Sequence, residues 1–161
     1  METYHEVWEG RPFGGGENPA VPAGTRAVPL LFGGMGAPAA FARMAKWGRG
    51  LIGGSLPAQI VGPVFDAARA AWEEAGRDGS PHLVALNYFV LDDVDKGRAA
   101  VGDYYAASGP AAEVITSGVR TSAQSLKQTI AEYEEIGADE ILFNPGVAEL
   151  DEISRLAEIV L

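Results

Sequence analysis

Apolar positions along the chain fall into two alternating rhythms. Short unbroken runs recur at residues 27–32 (ending Leu30-Leu31-Phe32), at Leu51-Ile52, at 82–91 and at 140–143. Runs this short, without polar alternation, predict strands buried on both faces. Between them the apolar residues recur once per helical turn. Phe41, Met44 and Ala45 predict a helix over 38–47, opened by Pro38, whose missing N–H costs nothing in a first turn. Ile60, Val61, Val64, Phe65, Ala68 and Trp72 predict a long helix from Pro57 to Gly76. Two further helices are expected at 94–107 and 110–118. Another starts at Thr121, with Gln124 completing a capping box, and buries Leu126, Ile130, Tyr133 and Ile136. A last helix from about Leu150 carries Ile153, Leu156, Ala157 and Val160 inward.

Before the first strand, residues 3–9 suit the tail of a helix, and a Gly/Pro-rich loop occupies 9–26. The rest is a strand–helix unit repeated four times, with extra helices before the fourth strand. Alternation of this kind implies right-handed crossovers and a parallel sheet, an α/β fold. At 161 residues the chain is read as a single domain, 1–161.

Two strands end in glycine turns, Gly33-Gly34-Met35-Gly36 and Gly53-Gly54-Ser55. A glycine turn running into a helix N-terminus presents free N–H groups and the positive end of the helix dipole, a ready anion site. The plain alternatives are a tight strand–helix turn for the first and, for Ser55, an N-cap of the following helix.

Charge and composition narrow the chemistry. A net charge of −10 disfavours nucleic acid and anionic membranes as partners. Cysteine is absent, which removes disulfides and thiolate metal sites and suits a cytoplasmic setting. No apolar run is long enough to span a membrane. Arg43, Lys46 and Arg49 form a local basic ridge, read first as a solvated helix face. Asn87, Tyr88, Asn144 and Pro145 lie near strand ends, where they serve as turn or cap residues or as site residues. His82 opens its strand, far from that end. The histidines, His5 and His82, lie far apart, and no carboxylate pair stands at catalytic spacing, so no metal site or acid/base pair is read and the catalytic residues are unassigned.

Three segments taken in order, Val28-Pro29-Leu30-Leu31-Phe32-Gly33-Gly34-Met35-Gly36, Met44-Ala45-Lys46-Trp47-Gly48-Arg49-Gly50-Leu51-Ile52 and Ile136-Gly137-Ala138-Asp139-Glu140-Ile141-Leu142-Phe143-Asn144-Pro145, resemble the bacterial luciferase-like monooxygenase family. Members carry a P-x-x-x-G-G strand, a helix ending A-x-x-G-D-G-W and a closing G-A-D-E strand. The second segment departs from this, reading Arg49-Gly50 where D-G is usual. The resemblance implies a parallel (β/α)4 half-barrel, the C-terminal half of a TIM (β/α)8 barrel. It further implies a flavin- or deazaflavin-dependent oxidoreductase in truncated form, without the half that supports the flavin ring. The cofactor would be FMN or a deazaflavin coenzyme, its phosphate held by Gly33, Gly34, Met35 and Gly36 with Gly53, Gly54 and Ser55 beside them. The alternative is a non-catalytic half-barrel that binds or scaffolds. Either reading calls for a homo-oligomer or a second chain to complete the barrel, because an open apolar interior invites aggregation.

Overall fold

A computed structural model describes residues 1–22 and 24–161. The chain divides into two compact units, Met1–Leu30 and Leu31–Leu161. The first holds helix α1 (Glu2–Trp8), where Trp8 packs edge-on against His5, and a loop pinched by a bridge between Pro12 and Pro19.

The second unit runs β1 (Leu31–Gly33), α2 (Pro38–Trp47), β2 (Gly50–Ile52), α3 (Ala58–Glu74), β3 (His82–Phe89), α4 (Val94–Tyr105), α5 (Pro110–Ser117), α6 (Ala123–Glu135), β4 (Glu140–Pro145) and α7 (Leu150–Val160). All neighbouring strands are parallel and their order is sequential, β1-β2-β3-β4. This order decides the architecture. Right-handed crossovers taken always in one direction put the crossover helices α2, α3 and α6 on the same face of the sheet, whereas a doubly wound sheet would reverse direction and cover both.

Strand alternation sends Phe32, Leu51, Leu83 and Ala85 toward the helices. There they join Met44, Phe65, Trp72 and Tyr133 in the principal core. A second cluster, Val90, Val101, Ile115, Val119 and Val147, forms under α4 and α5. The residues between, Leu31, Ile52, Leu86 and Leu142, point to the other face.

Long side chains fix the helix ends. Arg77 lies over the Trp72 ring at 3.9 Å and donates to Ala45 O and Gly48 O, at the C-terminus of α2. Arg69 does the same for α6 through Ile136 O and Gly137 O. Cations on terminal carbonyls satisfy orphan acceptors and complement the dipole. The segment Gly137-Ala138-Asp139 also has a local cause. Gly137 turns the chain at φ +74°, Ala138 packs on the core, and Asp139 accepts from Leu83 N at 2.8 Å, which aligns β4 on β3.

Several boundaries differ from expectation. The first strand is Leu31–Gly33 rather than 27–32, because its partner β2 offers only three residues for pairing. Ser122, not Thr121, caps α6, and Ser125 rather than Gln124 returns the bond. Ile60, Ile153 and Val160 are exposed, so the inward stripe of α7 is narrower than the periodicity suggested.

Candidate anion site at the ends of the first two strands

The C-terminal ends of β1 and β2 adjoin, with Gly33 in register with Ile52, so the two glycine turns lie side by side. Each runs into a helix that lacks the usual N-terminal partners. α2 has Ala37 at its N-cap and Pro38 at its start, and α3 has Pro57 at its N-cap. Neither has a side-chain cap, and neither has an acid in its first turn. Among the described residues these are the only α-helices with both properties. Asp93 caps α4 and Ser122 caps α6, while α1, α5 and α7 begin with Glu2, Glu113 and the pair Asp151 and Glu152. Two positive dipole ends therefore converge at one corner of the sheet.

Among the described residues, the N–H groups of Met35, Gly36, Ala37 and Ala39 have no acceptor. Gly54 N donates to Met35 Sδ at 3.1 Å. A thioether is a weak acceptor, so an anion would readily take its place. Gly53 is different: its N–H donates to Val84 O at 2.9 Å and serves the sheet. Ser55 is buried but is not the cap of α3, since that position is Pro57. Tyr133, fully buried on α6, donates its hydroxyl to Leu56 O and so anchors the loop that carries Ser55. Burial raises the Tyr133 pKa, partly opposed by the neighbouring Asn87 side chain.

The glycines of the first turn are required for different reasons. Gly36 has φ +106°, a conformation that L side chains rarely adopt. A Cβ on Gly34 would stand 2.9 Å from the Ala40 Cβ, so this residue lets α2 approach the strand.

Other sequence candidates disperse. Arg49 precedes β2, and its carbonyl accepts from His82 N, which places it at the opposite end of the sheet from the glycine turns. Arg43 is exposed and donates to Ala39 O, and Lys46 lies 4.5 Å over the Trp47 ring, as a solvated face would have them. His82 contacts Glu140 at 3.1 Å, also at that far end. Asn87 is buried toward α6, whereas Tyr88 and Asn144 pair in register near the site end. No group of three or more His, Asp or Glu gathers as a metal site would among the described residues.

Sequence reasoning missed one constellation. The Tyr88 hydroxyl meets that of Tyr105 at 3.3 Å, with the rings edge to face. Burial first, then this bond, pushes the Tyr88 pKa well above 10. The two residues belong to different elements, and no local pattern announces the contact. Beyond β3 and β4, buried Glu152 accepts from Leu91 N at 2.6 Å and pins the loop after β3 to the start of α7.

No family model matches the sequence, and no curated protein is similar to it by sequence. Solved structures are similar. An F420-dependent secondary alcohol dehydrogenase, in complex with an F420-acetone adduct, superposes with a TM-score of 0.72 at 18% identity, covering 97% of this chain and 57% of that one. The coenzyme F420-dependent tetrahydromethanopterin reductase of Methanopyrus kandleri gives 0.57 at 16% identity, covering 98% and 58%. The chain thus spans little more than half the length of either. At these identities the likeness is one of fold: four parallel strands alternating with helices, as in part of a TIM barrel.

Proposed function

We propose that this chain is the cofactor-phosphate half of a deazaflavin-dependent oxidoreductase of the luciferase-like kind. The observation that carries the reading is the convergence of two uncapped, acid-free helix N-termini, α2 and α3, on the turn Gly33–Gly36. An anion there meets unpaired N–H groups and two favourable dipoles, and a glycine backbone lets it come close. The N–H groups of Met35, Gly36, Ala37 and Ala39 would hold a phosphoryl group, with Gly54 freed from Met35. Ser55 borders the site, and Gly53 shapes it by joining β2 to β3. A deazaflavin bound there would supply hydride transfer; the chain would bind, orient and exclude water. The likeness to F420-dependent enzymes favours a deazaflavin over FMN, and the sequence segments that resemble the luciferase-like family support the same assignment.

A non-catalytic half-barrel is the second reading. It is supported by the extent of the likeness, which takes in only 57% and 58% of the two F420-dependent enzymes. Titration of the full chain with F420 and with FMN, followed by cofactor fluorescence, separates the two. Saturable F420 binding that inorganic pyrophosphate competes away supports the oxidoreductase reading. No binding of either cofactor up to about millimolar, a standard free energy of only ~4 kcal/mol, removes it in favour of the second.

A further inference from the structure

β2 stops at Ile52, opposite Val84, and β3 runs on beyond it. There the segment after α5 takes the place of β2 at the edge of β3. Arg120 N donates to Tyr88 O and Val90 N to Arg120 O, each at 2.9 Å, which pairs Arg120 with Phe89 in a parallel bridge. Residues paired in a parallel ladder share a face, so Arg120 projects on the side of Asn87 and Phe89, toward α6. Among the described residues three arginines are half-buried, Arg69, Arg120 and Arg155. Arg69 bonds Asp66 and two carbonyls, and Arg155 bonds Asp92. Arg120 differs: its Nε is buried without an acceptor. Asn87, 2% exposed, has its Nδ2 in the same condition. So does Thr129 Oγ1, one turn from Tyr133 on the buried stripe of α6.

The Tyr133 hydroxyl marks where these groups meet. Burial raises its pKa, and the Asn87 side chain and then the Arg120 charge oppose the rise, so both stand near it. It also donates to Leu56 O, which brings in the loop after β2 and with it buried Ser55. A guanidinium keeps its charge throughout the pH range of a folded protein, and an orphaned donor is costly to bury. Two such donors near one hydroxyl, one of them cationic, are matched by an oxyanion and by neither a cation nor an apolar group.

We infer that Arg120 and Asn87 form a second oxyanion site, which takes the carboxylate or phosphoryl group of a small ligand on the Nε edge of the guanidinium and on Asn87 Nδ2, with Ser55 at its border. It lies across the loop 53–56 from the glycine turn: Gly54 meets Met35 on one side of that loop, and Leu56 meets Tyr133 on the other. The inference goes beyond the proposed function and stands without it, because Arg120 and Asn87 donate nothing to the glycine turn.

NMR titration of the isotope-labelled full chain, at constant ionic strength, with sodium acetate and with inorganic phosphate tests it through the Arg120 Nε–H and Asn87 Nδ2 signals. Both signals should shift together and saturate at about millimolar concentration of the preferred anion. Acetate saturating first assigns a carboxylate, and phosphate first a phosphoryl group. Arg120→Lys keeps the charge but loses the planar fork, and should weaken binding about tenfold or more. Arg120→Met should abolish the Asn87 shift without lowering the melting temperature, since no ion pair is lost. Ala37→Asp, which fills the glycine turn, should leave the shift in place. No saturable shift up to about 100 mM of either anion, or an Asn87 shift that survives Arg120→Met, would overturn the inference. A shift lost in Ala37→Asp alone would overturn it and leave the proposed function standing. Saturation at Arg120 in a chain that binds no F420 supports it and removes that function.

Discussion

Replacing Ala37 by Asp should stabilise the fold and abolish anion binding together. Ala37 is the exposed N-cap of α2, with φ −73° and ψ +121°, an extended conformation that a capping aspartate adopts. Pro38 has no N–H and Ala40 N already donates to Ala37 O at 2.8 Å, so the new carboxylate would accept from Ala39 N. Aspartate in place of alanine at an N-cap contributes about 1 kcal/mol, and its charge beside the dipole adds ~0.3–1 kcal/mol. For a chain of this size that corresponds to a rise of roughly 2–8 °C in melting temperature. The same carboxylate would stand where the anion binds. Two unit charges about 4 Å apart repel by ~4 kcal/mol at an effective dielectric of 20, and one donor is also consumed. Affinity for F420 or pyrophosphate should therefore fall by more than about a hundredfold, or ~2.7 kcal/mol. Thermal unfolding and fluorescence titration of the same preparation read both effects. Undiminished binding with a raised melting temperature would move the anion elsewhere. A lowered melting temperature would show that the helix start is already satisfied.

The glycine turn should respond in graded fashion to alanine, read by urea unfolding. Gly33→Ala, whose Cβ finds only Ile52 Cγ2 at 4.0 Å, should stay within ~0.5 kcal/mol of the parent. Gly34→Ala should cost ~1–3 kcal/mol through crowding against Ala40, and Gly36→Ala roughly 1–3 kcal/mol through its positive φ. Equal tolerance of all three would contradict the turn geometry. In a spectrophotometric pH titration, Tyr88 and Tyr133 should ionise above the ordinary tyrosine value of 10.0, because burial favours their neutral forms. A raised folded pKa means that this stabilisation is complete below the unfolded value of about 10 and is lost as pH rises beyond it. All tyrosines titrating together in folded protein would refute the burial of these two.

The sequence alone determined the order of elements and the sign of the topology. Apolar runs alternating with one-turn periodicity require strands and helices in turn, and chain chirality then makes the connections right-handed. Pro38 and Gly137 marked their boundaries because proline and glycine restrict or release the backbone locally, whatever surrounds them. The neighbouring glycine turns were legible for the same reason. Which amides in those turns remain free was not. Gly53 N is taken by Val84 O and Gly54 N by Met35 Sδ, partners 31 and 19 positions away. Ser55 reads as a cap from composition, yet the cap position falls two residues later, at Pro57. Periodicity likewise turned Ile153 and Val160 inward, whereas packing on α6 buries only part of that stripe. Local preference sets what a segment can become, but the accounting of donors, acceptors and covered faces closes only between segments distant in sequence. Tertiary structure therefore decided which amides of those turns are left without an acceptor.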